Sequence, residues 1–238
     1  MSTGAAGLRL QGISREDNSL RYIPMLTIAI AKGRMQDEAL ALLTRAGLHV
    51  SADALASRRL AIEDESGEYR FLFVKPADVP VYVEHGAADC GIVGRDVVLE
   101  SEADLLLPLD LGIARCKIVV AAPTPKLLAN GFGMLRVATK YPRIARSHFG
   151  ARGIPVEIIG LTGSVELAPA LGLADCLVDL VETGRTLKDN GLSVVEVISE
   201  STGRLVVNRA SYQLKAAAVA ALIAALGEVV AQTAGVNE

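Results

Sequence analysis

The chain has 238 residues, of which 51% are hydrophobic, 4% aromatic and none Trp, and its formal net charge is −3. That length supports one large domain or two lobes of about 100 residues each, with cores built from aliphatic side chains. Basic residues are spread along the chain without the one-sided excess of a nucleic-acid-binding surface, so no nucleic-acid partner is expected. Small anionic ligands, which need only a few local cations, are not excluded.

Residues 1–20 (MSTGAAGLRLQGISREDNSL) are rich in Gly, Ser and charge and lack the apolar centre of a signal peptide. They read as a disordered N-terminal extension. No apolar run reaches about 18 uninterrupted residues, so no membrane span is expected and the protein is read as cytoplasmic.

From there strand-like and helix-like segments alternate, which argues for an α/β architecture. Met25–Ala31 is a continuous apolar run, the mark of a strand covered on both faces. Met35, Ala39, Leu42, Leu43 and Ala46 then recur at helical spacing, with Gly47 as a C-terminal stop. Tyr69–Val74 is the next strand. Pro76–Pro80 reads as a helix entrance with Asp78 as candidate N-cap, and Gly86 as its end. Cys90–Gly94 is a strand. The stretch Leu109–Arg115 reads as a crossover into a strand at Cys116–Ala122. Strands are predicted at Leu135–Thr139, Pro155–Gly160 and Cys176–Val181, with helices near Arg143–Phe149 and Ser164–Leu171. Val194–Ser199 and Arg204–Asn208 follow as strands, and one long amphipathic helix from Ser211. With no repeat and no long linker, the chain reads as two lobes. The first takes residues 21–115 plus 204–238, and the second residues 116–203.

Cys90, Cys116 and Cys176 lie far apart in apolar runs, and no CxxC or Cys/His spacing is present. They read as buried free thiols, so no protein-held metal is expected. His49, His85 and His148 are scattered and read as solvent-facing or helix-end residues.

Three loops follow the carboxyl ends of strands, the edge where open α/β sheets bind ligands. They are Lys32-Gly33-Arg34, Gly94-Arg95-Asp96 and Glu182-Thr183-Gly184-Arg185-Thr186. The third is the most informative. A helix start offers unpaired N–H groups to phosphate. Gly184 permits close backbone approach, and Thr183 and Thr186 supply hydroxyl donors. Asp179 and Glu182 would repel a bare phosphate but suit a vicinal diol, since a carboxylate accepts two hydroxyl hydrogen bonds. A phosphate beside a diol describes ribose-5-phosphate. The same letters also fit a Thr-capped helix with two solvated acids. Lys32-Gly33-Arg34 places two cations at a helix start, against the helix dipole, a conflict that an anionic ligand such as a polyphosphate would resolve. A solvated first turn is the alternative. Arg58-Arg59 and Arg95 are further candidate cations or plain surface residues. Ser164 and Glu166 in LTGSVELAP (Leu161–Pro169) fit ordinary helix capping.

Taken in order, AIAKGRMQDEALALLTRAGL, SRRL, RFLFVKPADVPVYVEHGAADCGIVGRDVVLE, RVATKYP, LTGSVELAPALGLADCLVDLVETGRTLKDNGL and VNRASY resemble the short form of ATP phosphoribosyltransferase over nearly all of residues 25–213. The resemblance implies a two-lobed fold like that of type II periplasmic binding proteins, with the active site in the cleft between lobes. It implies the first step of histidine biosynthesis, in which ATP and 5-phosphoribosyl-1-pyrophosphate (PRPP) give phosphoribosyl-ATP and pyrophosphate. Mg²⁺ would be carried by the substrate phosphates. On this reading Glu182, Thr183, Gly184, Arg185 and Thr186 hold the 5-phosphate and Asp179 the ribose hydroxyls. Lys32, Gly33, Arg34, Arg58 and Arg95 face pyrophosphate or ATP, with Arg34 and Arg58 stabilising the leaving group. Ser164, Val165 and Glu166 belong to a further motif near the cleft.

Many other phosphoribosyltransferases place two adjacent acids before this loop. Here Leu180-Val181 separate Asp179 from Glu182, which puts the ribose contact mainly on one carboxylate and leaves the role of Glu182 open. The chain ends soon after Ser211, so no C-terminal regulatory domain is expected. The resemblance then implies a histidyl-tRNA-synthetase-like regulatory subunit and a homodimer within a hetero-oligomer. A non-catalytic ligand-binding protein of the same two-lobed fold is the main competing reading.

Overall fold

Two separate sheets divide the chain, and the computed structural model describes residues 25–57, 59–124 and 133–234. The expected extension at 1–20 lies outside the described residues. In chain order the elements are β1 (Leu26–Ala31), α1 (Gln36–Arg45), α2 (Ala52–Ala56), β2 (Ala61–Glu63), β3 (Tyr69–Val74), a 3-10 turn (Pro76–Asp78), α3 (Val79–Glu84), β4 (Cys90–Gly94), α4 (Arg95–Ser101), β5 (Leu106–Asp110) and β6 (Cys116–Ala122). They continue as β7 (Leu135–Thr139), α5 (Pro142–Gly150), β8 (Val156–Gly160), α6 (Leu167–Ala170), β9 (Cys176–Val181), α7 (Arg185–Asp189), β10 (Ser193–Ser201), β11 (Gly203–Val207), α8 (Arg209–Leu214) and α9 (Ala216–Ala234).

The first sheet has the order β2-β3-β1-β4-β11-β5 and the second β10-β6-β9-β7-β8. In the first, β1 runs parallel to β3 and β4, while β11 returns antiparallel between β4 and β5. In the second, β7 runs parallel to β8 and β9, and β6 antiparallel to β9 and β10. The chain passes from the first sheet to the second between Asp110 and Cys116 and returns between Ser201 and Gly203.

The central strands of each sheet are buried on both faces, and the period-two alternation of strands decides which residue serves which layer. Leu26, Ile28 and Ile30 of β1 pack towards α1 and α9, whereas Ala29 and Ala31 pack towards α3 and α4. In β9, Cys176 and Val178 join the α5 layer and Leu177 the α6–α7 layer. The three cysteines are buried and unbridged. His49 and His85 are exposed, and His148 closes the last turn of α5, edge-on to Phe149.

Several boundaries differ from the sequence reading for local reasons. Asp78 makes no side-chain cap: a 3-10 turn carries the chain into α3. Part of the expected crossover at Leu109–Arg115 is strand, because β5 pairs with β11 through Leu106, Leu109 and Asp110. The strand expected to end at Asn208 stops at Val207, and the Asn208 side chain instead accepts from Ser211 N at 2.9 Å to start α8. The helix expected to run on from Ser211 breaks at Lys215. There Lys215 Nζ turns inward to Asp89 Oδ2 (2.8 Å) and the Met25 carbonyl (2.9 Å).

By length and composition α9 could cross a membrane. Its Val219, Leu222, Leu226 and Val229 instead pack into the core beside β1 and β11, which gives that face a protein partner.

Asp89 ties the closing helices to the sheet. It accepts from Thr27 N (2.9 Å), Ser211 Oγ (2.7 Å) and Lys215 Nζ. Removing one partner of a buried pair leaves the other charge unsatisfied. Asp89→Ala is therefore expected to destabilise the fold by about 3 kcal/mol, read as a lower urea midpoint; an unchanged midpoint would show that the cluster adds nothing.

Candidate active site

The β1–α1 loop supplies the first cation. Gly33 sits at φ +91°, a left-handed turn that a Cβ would strain, and it turns the chain from β1 so that Arg34 points across to the second sheet. Arg34 Nη1 donates to Glu182 Oε2 at 3.1 Å and Nη2 to the Ala114 carbonyl at 3.2 Å. One arginine thus touches the first lobe, the crossing segment and the loop after β9.

That loop is the other wall. Gly184, at φ +76°, reverses the chain after β9 and starts α7. Thr183 Oγ1 accepts from Arg185 N at 3.4 Å, and Thr183 and Thr186 are both exposed. A cavity of about 270 Å³ is lined by Arg34, Cys116, Glu166, Asp179 and residues 180–187. The sequence candidates Arg34, Asp179, Glu182, Thr183, Gly184, Arg185, Thr186 and Glu166 therefore meet in one cleft between the two sheets. Arg185 is largely solvated and lies 3.7 Å from Asp189.

Other candidates fall elsewhere. Lys32 lines a second depression with Gln36, Ser57 and Arg59. Arg95 is exposed at the start of α4, does not line the cleft cavity, and its N–H donates to Thr202 O at 3.0 Å. Val165 is buried in the core of the second lobe, so any ligand contact there falls to its backbone. Ser164 does not cap a helix: it takes φ +48°, its carbonyl accepts from Leu167 N, and α6 starts only at Leu167. Arg58 lies outside the described residues.

The seam also carries groups that the sequence reading passed over. Asp96 is buried beside Arg95 and accepts from Ser201 Oγ at 2.7 Å. Tyr141 lies near Asp96 from the opposite lobe, and burial, with Asp96 and Asp179 nearby, pushes its phenol up. Burial also raises the Cys116 thiol, an effect partly offset by the Arg34 guanidinium beside it. Burial alone would lower Arg34, but Cys116 and Glu182 outweigh it and the guanidinium stays charged. A signal was present for two of these groups, since Asp96 ends the Gly-Arg-Asp loop and Tyr141 sits in RVATKYP.

Comparison with known proteins bears on the family and the fold. Residues 75–228 match the family model described as HisG: ATP phosphoribosyltransferase. The chain belongs to the ATP phosphoribosyltransferase family. A relative from Geobacillus sp. with that name is 51% identical over 208 residues, covering 87% of this chain and all of its own length. The solved ATP phosphoribosyl transferase (HisG:HisZ) complex from Thermotoga maritima contains a chain 36% identical, with TM-score 0.76, covering 87% of this chain and 100% of its own. The periplasmic aliphatic sulphonate binding protein SsuA from Escherichia coli is only 14% identical (TM-score 0.54, 90% of this chain and 70% of its own) and shares the two-lobed fold.

Asp179 is where binding and stability oppose each other. Burial raises its carboxyl above the usual range, against a bond from Leu180 N at 2.8 Å and the pull of Lys140. A raised folded pKa means that the protonated acid is the better-tolerated form. Its contribution to stability is full below the unfolded carboxylate pKa and is lost as pH rises through the folded one. Asp179→Asn, which keeps an acceptor for Leu180 N, should therefore raise the ligand-free thermal midpoint near pH 7, with the gain vanishing towards pH 3. A gain that stayed constant with pH would remove burial of the charge as its cause.

Proposed function

We propose that this chain transfers the phosphoribosyl group of PRPP to N1 of ATP, releasing pyrophosphate, as the first step of L-histidine biosynthesis in the cytoplasm. The observation that carries the reading is Arg34 facing the Glu182–Thr186 loop across the cleft, with the half-buried Asp179 at its base. The two lobes are assigned to residues 21–115 plus 204–238 and to residues 116–203.

The loop hydroxyls and N–H groups of residues 183–186 hold the 5-phosphate. Asp179 accepts from the ribose hydroxyls and so fixes C1. N1 of adenine, a weak neutral base, attacks C1 as the C1–O bond breaks and its electron pair leaves with pyrophosphate. Positive charge builds on the ribose ring and negative charge on the leaving group. Arg34, already aimed into the cleft, neutralises the departing oxygens, and Arg58 is assigned the same task. Lys32 and Arg95, with the turn at Ser164–Glu166, are left for the nucleotide phosphates. No covalent nucleophile is needed: catalysis rests on an in-line geometry held between two walls.

No group of three or more His, Cys, Asp or Glu among the described residues is arranged to hold a metal. In this reading Mg²⁺ would come in on the substrate phosphates, where it would supply charge neutralisation. The HisG:HisZ complex of the Thermotoga maritima relative supports a HisZ-like regulatory partner for this chain, and a histidyl-tRNA-synthetase-like character of that subunit and a homodimer of this chain complete the proposal.

The test is phosphoribosyl-ATP formation from ATP and PRPP, followed chromatographically with and without the regulatory subunit. No product in either setting, or heat of binding with amino acids but none with PRPP, would return the chain to the solute-binding reading. Arg34→Ala is expected to lower turnover roughly 100-fold, the usual cost of removing a charge aimed at the transition state. Turnover within twofold of the parent would take Arg34 out of the mechanism.

A further inference from the structure

The two lobes also meet where α4 of the first lies against α5 of the second. Helix α5 begins with Tyr141, which gives no side-chain cap, and Pro142, which has no N–H. Its next donors are satisfied from the other lobe. Arg143 N donates to Glu100 Oε1 and Oε2 at 3.0 and 3.1 Å, and Ile144 N donates to Glu100 Oε2 at 3.1 Å. The service is returned. Arg143 Nη1 donates to the Ser101 carbonyl at 2.9 Å and the Glu100 carbonyl at 3.3 Å, at the C-terminal end of α4. The same guanidinium pairs with Glu102 at 3.1 Å. Glu102 holds an unusual left-handed conformation, φ +55°, at the C-cap of α4. Each helix end is thus completed by a residue of the opposite lobe.

This seam is coupled to the site. Tyr141 N donates to Thr139 Oγ1 at 2.8 Å, and that hydroxyl donates to the Val178 carbonyl at 2.7 Å, one residue before Asp179. Tyr141 also lies near enough to Asp96, at the head of α4, to feel its charge. By contrast, the lobes meet at the loop after β9 through the exposed Arg34–Glu182 pair, whose side chains are 43% and 61% exposed. Such a pair contributes little. One flank of the cleft is closed by helix capping and the other by a contact that an incoming anion can displace.

We propose that Glu100 is a positioning residue for the transfer reaction: by capping α5 from the opposite lobe it fixes the separation at which Arg34 faces the Glu182–Thr186 loop. The inference rests on the function proposed above. Without the cap the lobes spend part of their time apart, and substrate binding must first bring them together. Apparent affinity then falls by the fraction of molecules in the competent arrangement, and a helix cap is worth about tenfold in an equilibrium constant.

In the assembly in which the parent turns over, Glu100→Ala should raise KM for PRPP and for ATP up to about tenfold, with kcat at saturation within about twofold. Glu100→Gln, which keeps one acceptor oxygen, should fall between the two. Spin labels at Val81→Cys and Leu171→Cys, both exposed and on opposite lobes, should give a narrow distance distribution that Glu100→Ala broadens and saturating PRPP narrows again. Unchanged KM values, with or without loss of kcat, would overturn the proposal, because misfolding lowers the active fraction and not the apparent affinity. If Glu100→Ala does not fold, Glu100→Gln carries the same measurement. If the parent makes no phosphoribosyl-ATP, the function fails first. The distance distribution still decides the clasp: broadening upholds it and an unchanged width ends it.

Discussion

Everything in this molecule depends on a chain that crosses twice between two sheets through one narrow strap. On the outward pass, residues 111–115 carry it over, and on the return Thr202 does. The two crossings are bonded to each other: Leu111 N donates to Gly203 O, and Gly203 N to Ile113 O, both at 2.9 Å. Thr202 Oγ1 donates to Asp110 Oδ1 at 2.8 Å, and Arg204 pairs with the same carboxylate at 2.7 Å. A Cβ at Gly203 would lie 2.7 Å from Ile113 Cγ1, so the Ile113 side chain packs into the space that a larger residue would fill. The two lobes therefore share a short, bonded strap, and the sheets' carboxyl edges are brought face to face by connectivity before any ligand arrives.

Across that strap the chemistry divides by lobe. The first lobe gives a cation, Arg34, on a loop set by one left-handed glycine. The second gives hydroxyls and a half-buried carboxylate on a loop set by another. Neither wall alone describes a transferase: the loop by itself would hold a sugar phosphate, and the arginine by itself any anion. Reaction in this reading requires both, because charge develops in opposite senses on ribose and leaving group and each needs its own complement a few ångströms away. The cost is visible in Asp179, whose burial opposes the ionised form that a diol needs.

What was legible in the sequence follows from the same geometry. Central strands such as β1, β4, β6 and β9 are covered on both faces, and their unbroken apolar runs announced them. The three-residue β2 and the largely exposed β5, with Pro108 inside it, sit at sheet edges where little packing is imprinted on composition. Helix starts were less legible, because Asp78 and Ser164 have capping chemistry but not capping geometry, whereas Asn208 caps where a strand residue was expected. The loop from Asp179 to Thr186 could be read because its groups are consecutive. Asp96, Tyr141, Cys116 and Ser201 could not be joined into one cluster, although the motifs holding Asp96 and Tyr141 stood out, since they become neighbours only once two sheets face each other. Only the family resemblance joined Arg34 to that loop beforehand.

The contact between Arg34 and Glu182 has a further consequence for the resting molecule. A guanidinium aimed into an open cleft would attract any small anion in solution, and a carboxylate held on the opposite wall occupies it instead. The carboxylate is tethered, so its local concentration is high and independent of surroundings. It is also solvated, so the pair amounts to no more than about 1 kcal/mol. The molecule thus carries a weak internal competitor: strong enough to disfavour a monovalent ion that offers one contact, and too weak to hinder a multiply charged ligand that also engages the loop. Selectivity of this kind comes from occupancy of the site at rest rather than from its shape.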